Sequence, residues 1–269
     1  MNISKIFDCI TFFDNNFMFE LRYNILFKHV DYFVVYESKY DHSGKIKKKN
    51  FKFLDYYDKQ KIIYFFDEKP FPKNTNRWQN QAIQREKLLD SLQLANLDDY
   101  IFFSDPDEIM RPELLNDFKL DKKFGIFMQT CFVYKLNLFN SFESPWEGSR
   151  VAKKKDINSI DFMRQKILSK NLNYPFYRID KEKRIQLFQN GGWHFNNIMS
   201  PKEISLKLKT FAHTEYSSEE YSNEKIIEEK IKKKVDLFNR GFSYNQIKLD
   251  NTFPKYILEN NEKYSKWIL

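Results

Sequence analysis

Tyr100-Ile101-Phe102-Phe103-Ser104-Asp105-Pro106-Asp107 is the stretch on which the reading of this chain turns. Four consecutive aromatic or β-branched residues describe a strand buried on both faces, and such strands belong to parallel sheets with helices on each side. The run breaks into carboxylates at Ser104-Asp105-Pro106-Asp107. The strand therefore delivers charge to the carboxyl edge of its sheet, where ligands of open α/β folds bind.

The segments before it alternate in the same way. Residues 6–13 are apolar and β-rich, and Asp14, Asn15 and Asn16 offer caps for a helix with Met18, Leu21, Ile25 and Leu26 at helical spacing. Residues 32–36 and 62–66 read as two more strands, the first ending at Glu37 and the second closed by Pro70 and Pro72. Asn74 to Asn76 can cap a longer helix over about 77–95, with Trp78, Ala82, Leu89 and Leu92 on one face and Arg85 beside them. Further on, 125–134 reads as a strand, 144–150 as a loop, and 191–195 as a turn followed by a short strand. Ser217-Ser218-Glu219-Glu220 has capping-box spacing and can open a helix with Ile227, Ile231, Val235 and Phe238 as its buried stripe and Gly241 as its stop. No repeat, linker or domain boundary is visible. The expectation is one α/β domain over 1–269, with a mostly parallel central sheet flanked by helices and a helical C-terminal region.

Of the 269 residues 42% are hydrophobic, 18% aromatic and 30% charged, a globular profile that excludes disordered and collagen-like classes. Only six glycines occur, where average usage gives roughly 19. Their positions allow neither G-x-G-x-x-G nor a P-loop, so the phosphates of a bound nucleotide would need a metal ion or basic side chains. The net charge of +8 makes attraction to phosphates, anionic lipids or acidic polymers available. The lysines sit in short runs at 47–49, 153–155 and 232–234 without interleaved aromatics, and no nucleic-acid partner is expected. Two cysteines, Cys9 and Cys131, cannot build a disulfide scaffold, and no apolar stretch reaches 18 residues. A cytoplasmic protein without a membrane span is the expectation.

Asp105 and Asp107, one residue apart after a buried strand, can hold one hard divalent cation, which would neutralise a diphosphate where no glycine loop exists. Glu108 could add a ligand or a supporting contact, and the competing reading is an acidic turn capping a helix around 112–118. Arg77 and Arg85, two helical turns apart, are placed to reach a phosphate. Glu37 is a potential acceptor for ribose hydroxyls or a base N–H. In Gly191-Gly192-Trp193-His194-Phe195, paired glycines allow close approach of a ligand or another strand, and His194 is a candidate third ligand for Mn²⁺ or a similar ion, the competing reading being a core histidine satisfied between aromatics. His213 carries the same ambiguity, while His29 and His42 read as structural. Asp8, Glu147, Asp161 and Glu215 are candidate general bases, and Trp146 and Trp193 could stack on a sugar ring. No G-x-S-x-G or H-E-x-x-H occurs, so serine hydrolase and zincin chemistry fall away.

Seven blocks then stand in a telling order: Ile6-Phe7-Asp8-Cys9-Ile10-Thr11-Phe12-Phe13, Glu20-Leu21-Arg22, Val34-Val35-Tyr36-Glu37-Ser38, Arg77-Trp78-Gln79-Asn80 with Gln84-Arg85, Ser104-Asp105-Pro106-Asp107-Glu108-Ile109, Gly192-Trp193-His194-Phe195 and Pro254-Lys255-Tyr256-Ile257. Together they resemble glycosyltransferase family 17. The resemblance implies a GT-A fold, a nucleotide-sugar donor, UDP-GlcNAc in the animal enzyme, a divalent metal at the DxD and inversion at the anomeric carbon. Asp105 and Asp107 match the DxD, His194 the Trp-His block, and Arg85 the arginine that precedes the DxD strand. The expected protein is a metal-dependent inverting glycosyltransferase moving a sugar, GlcNAc by this resemblance, from a UDP-sugar to a glycan hydroxyl. The alternative is an inactive glycan- or nucleotide-binding module. Asp107, Glu215 and Glu147 are the expected catalytic residues, and Asp8, Glu37, Arg77, Arg85 and Asp105 the expected donor-binding ones. Asp105, Asp107 and His194 would hold Mn²⁺ or Mg²⁺. Residues 136–184 depart from the family pattern and leave the acceptor open.

Overall fold

The computed structural model of the chain describes residues 4–212 and 214–269, so His213 lies outside the described residues. Strand β1 (Ile6–Phe12) leads through helix α1 (Asn16–Leu26) to β2 (Tyr32–Ser38) and β3 (Ile62–Asp67). Of the three cap candidates before α1 it is Asn15 whose side chain accepts the Met18 N–H. Helix α2 (Arg77–Lys87) opens with a capping box between Asn76 and Gln79. It stops at Lys87, short of the expected 95. There the chain tightens into a 3-10 turn, Leu88–Ser91, that carries Leu88 and Leu92 into the core. Next comes β4 (Tyr100–Ser104), as expected, then β5 (Glu108–Met110) and β6 (Phe124–Val133).

After β7 (Leu138–Phe139), the segment expected to be a loop over 144–150 is instead strand β8 (Trp146–Lys153). Pro145 and Gly148 look like breakers, yet β8 lies between β4 and β6, and Gly148 is needed because a Cβ there would stand 1.9 Å from Gln129 Oε1. Helix α3 (Ile160–Lys166), β9 (Ile185–Phe188), β10 (Gly192–Asn196) and α4 (Pro201–Thr210) follow. The helix expected after Ser217 is broken in two. Helix α5 (Glu219–Ser222) ends at Asn223, whose side chain caps α6 (Glu224–Lys233), and Lys234 closes α6 in the left-handed conformation, so Val235 and Phe238 lie beyond it. β11 (Asn245–Gln246) and α7 (Lys255–Glu259) complete the chain.

Eleven described strands form one sheet, ordered β11-β7-β6-β8-β4-β1-β2-β3, with β9 and β10 also joined to β6 and β5 to β10. The run β4-β1-β2-β3 is parallel, as expected; beyond β4 the sheet is mixed, because β8 runs antiparallel to both β4 and β6. Alternation along the strands splits the core into two layers. Ile10, Phe33, Val35 and Phe102 pack with Met18, Leu21 and Leu26 of α1, whereas Cys9, Val34, Tyr36, Ile101 and Phe103 pack with Leu88 and, from α3, Ile160 and Met163. A third cluster joins Val133 and Leu138 to Ile204 and Leu208 of α4 and Ile227 of α6. The result is an α/β sheet with helices on both faces. Among the described residues no helix is long and apolar enough to cross a membrane.

Candidate active site

Two parts of the sheet bring charge to one place. β4 ends at Ser104, the chain turns through Asp105-Pro106-Asp107, and Glu108 of β5 then lies opposite His194 of β10. β10 also pairs with β6, which sets His194 beside Cys131. Gly192 makes this possible, since its φ is +131° and a Cβ would stand 2.1 Å from the Ile109 carbonyl oxygen. Of the two uses expected for the glycine pair, close approach to a strand is the one found.

His194 Nε2 faces Asp107 Oδ1 at 3.5 Å, its Nδ1 lies 3.6 Å from Cys131 Sγ, and the Trp146 ring covers it with centroids 4.7 Å apart. From α4, Lys207 Nζ stands 3.7 Å from the other Asp107 oxygen. Burial disfavours the charged carboxylate, but Lys207 and His194 outweigh it and hold Asp107 well below the usual carboxylate range. Burial likewise opposes the imidazolium, yet the facing Cys131 and Asp107 raise His194 well above its ordinary value.

Asp105 turns the other way. Arg164 of α3 donates to it at 2.7 Å, and Arg85 of α2 stands 3.8 Å away. Burial works to raise this carboxyl, and the two guanidinium groups lower it despite the neighbouring Asp107. Arg164 also donates to Glu108 at 2.7 Å and to the Gly148 carbonyl at 3.0 Å. Glu108 is sealed from water and takes further bonds from Trp146 Nε1 at 2.7 Å and the Asp105 N–H at 3.1 Å, so it braces the turn and is not open to a ligand. The acidic-turn reading fails as well: 112–115 is a 3-10 turn whose cap position is Arg111, with no side-chain cap.

Several expected residues are occupied elsewhere. Asp8 falls on the α1 face of the sheet, where both its oxygens pair with Arg22, which also donates to the Glu108 carbonyl; it is an internal ion pair, not a donor-binding group or a base. Glu37 accepts from the Asn50 N–H at 2.7 Å, the Phe51 N–H at 3.0 Å, the Tyr64 hydroxyl at 2.8 Å and Lys47, so it pins a loop in place of meeting ribose. Trp193 is buried and donates to the Thr252 carbonyl at 3.0 Å, which removes it from sugar stacking. Asp161 accepts from Arg85 at 2.8 Å. Glu147 is held by Ser169 and by Arg150 at 3.2 Å. Glu215 is exposed on the 3-10 turn Thr214–Tyr216, just after α4. Arg77 donates to the Phe211 and Lys209 carbonyls at 2.9 and 3.1 Å, tying α2 to the end of α4.

Beside that tie opens a cleft lined by His42, Thr75, Asn76, Arg77, Trp78 and Asn80. His42, expected to be structural, is pushed by burial down to about 4 and is therefore neutral; its ring nitrogen meets Gln84 Oε1 at 3.1 Å. Among the described residues no three His, Cys, Asp or Glu side chains converge as a ready-made metal cage, so the expected trio is not assembled. Asp107 and His194 do converge, and with the imidazole deprotonated an oxygen and a nitrogen could be shared by a cation such as Mn²⁺, its other positions left to ligand oxygens and water. Arg164 and Lys207 escaped the sequence reading. For Lys207 a signal existed, since Ser200-Pro201-Lys202-Glu203 announces α4 with a capping box and proline at the first turn.

Paired carboxylates at the carboxyl edge of a parallel run, ringed by Arg85, Arg164 and Lys207, mark an α/β protein that concentrates charge where its sheet ends. The model of glycosyltransferase family 17 matches residues 1–269, and the chain belongs to that family. It is thus a glycosyltransferase, with a sugar donor and an acceptor as substrates. Comparison with curated proteins gives no significant match. Among solved structures the chain is similar to one described, at 2.76 Å, as a candidate glucose-1-phosphate thymidylyltransferase from Bacillus anthracis in complex with sucrose. Identity is 8%, the TM-score is 0.34, and the match covers 70% of this chain and 87% of that one.

Proposed function

We propose that the chain transfers a sugar, GlcNAc by its family resemblance, from a UDP-sugar to a glycan hydroxyl by in-line displacement with inversion. The convergence of Asp107, His194 and Lys207 on one point at the end of β4 is the observation that carries this reading. A divalent cation bound by Asp107 and His194 would neutralise the departing diphosphate. Lys207 beside Asp107 and Arg85 beside Asp105 add positive charge around the turn, and the fixed Arg164–Glu108–Trp146 network keeps the turn from shifting as charge develops. The cleft between His42 and Trp78 lies along α2 from Arg85, and it would take the nucleoside while Arg77 closes its rim. Glu215, on the exposed turn just after α4, would accept the acceptor's proton.

Asp107→Ala should abolish donor cleavage and transfer while far-ultraviolet circular dichroism and thermal unfolding stay near wild type. In the same assay Glu215→Gln should cost about 10²-fold or more in kcat and Glu147→Gln much less. Near-normal turnover by the Asp107 variant would remove this edge from the chemistry.

A further inference from the structure

Between α3 and β9 the chain makes a turn that buries nothing at its tip. Phe176, Tyr177 and Ile179 are 91%, 67% and 93% exposed, which makes them three of the four most exposed large hydrophobic residues among those described. Single exposed apolar residues need no explanation; three within four positions do. The turn that presents them is braced. The Arg178 N–H donates to the Pro175 carbonyl at 3.1 Å and the Ile179 N–H to that of Tyr177 at 2.9 Å. The Arg178 guanidinium makes two bonds to Asp180 at 2.7 and 2.8 Å and lies over the Tyr174 ring, and Lys183 Nζ reaches the Arg178 carbonyl at 2.9 Å. Polar groups thus lock the base while the apolar side chains point outward. Around them, residues 170–184 carry five cations, Lys170, Arg178, Lys181, Lys183 and Arg184, against only Asp180 and Glu182.

We propose that this turn is a docking finger for an anionic membrane surface. A convex tip of an aromatic pair and an isoleucine can sink between headgroups, and the lysines left in excess once Arg178 pairs with Asp180 and Arg184 with Glu182 then meet lipid phosphates and carboxylates. Three side chains are too few for a stable protein interface, which needs some 20–30 residues a side. Ile179, aliphatic and the most exposed of the three, has no face on which a sugar could stack. The finger follows the 3-10 turn Ser169–Asn173, whose Ser169 side chain donates to Glu147. The inference does not depend on the donor chemistry.

Co-sedimentation of the full chain with phosphatidylcholine vesicles, alone or with about 30% phosphatidylserine, tests it. Wild type should bind the anionic vesicles more tightly than the neutral ones and less tightly in high salt. The triple variant Phe176→Ser, Tyr177→Ser, Ile179→Ser, which touches no buried residue, should bind at least about tenfold more weakly with thermal unfolding unchanged. No binding of wild type to anionic vesicles, or equal binding by the variant, would overturn the proposal. A solution dimer that the variant dissolves, in the absence of vesicle binding, would overturn it too and assign the tip to a second copy.

Discussion

Arg164 holds Asp105, Glu108 and the Gly148 carbonyl at once, and it does so from a helix 59 residues away from Asp105 in the chain. Glu108 is sealed from water, so deleting its cation would leave a buried charge uncompensated, a change that costs about 3–5 kcal/mol. Arg164→Ala should lower the unfolding free energy by about that amount in urea titration. A loss under about 1 kcal/mol would mean the pair is not holding the turn together. Asp105, Asp107, His194 and Arg85 were readable because each announces itself locally, the acids by ending an apolar run and the histidine by standing between aromatics. Arg164 carries no such mark, since nothing around it in α3 reveals which carboxylates the fold will bring opposite. Asp8 and Glu37 illustrate the converse. Each is a carboxylate in or at the end of an apolar strand, much like Asp105, and only the Arg22 side chain and the 47–51 loop packed against them show that they serve the interior.

β10 enters the sheet between β5 and β6 only because Gly192 lets the Ile109 carbonyl pass where a side chain would stand. Gly192→Ala adds a methyl 2.1 Å from that oxygen at a φ that L residues avoid, so it should destabilise by about 2 kcal/mol or more and displace His194 from Asp107. Thermal unfolding and donor turnover should fall together; an unchanged melting temperature would show that β10 does not depend on this approach. The strands β1 to β4 and helix α1 were legible because their apolar periods are strong and their caps local. β8 was not, because proline and glycine signal a break in isolation, and the partner that requires glycine, Gln129, lies on another strand. The C-terminal helix was read as continuous across Asn223, whose side chain instead caps a second start by accepting the Lys225 and Ile226 amides.

The site is a seam between two halves of the sheet. The parallel half, β4-β1-β2-β3, supplies Asp105 and Asp107 with Arg85 behind them, and the mixed half supplies His194 on β10 and Lys207 on α4. That division explains why a sequence can show the acids clearly and yet leave their partners open: each half is locally coded, while their meeting is coded by strand order. Arg77, at the start of α2, ties that helix to the end of α4, the helix that carries Lys207. On the proposed function this seam cleaves a UDP-sugar with the help of a divalent cation. The most direct measurement is UDP release from a panel of nucleotide sugars, with Mn²⁺ and after chelation. Release from one donor that chelation removes and Mn²⁺ restores is the predicted result; no release from any donor, with no thermal stabilisation by UDP, would contradict the claim.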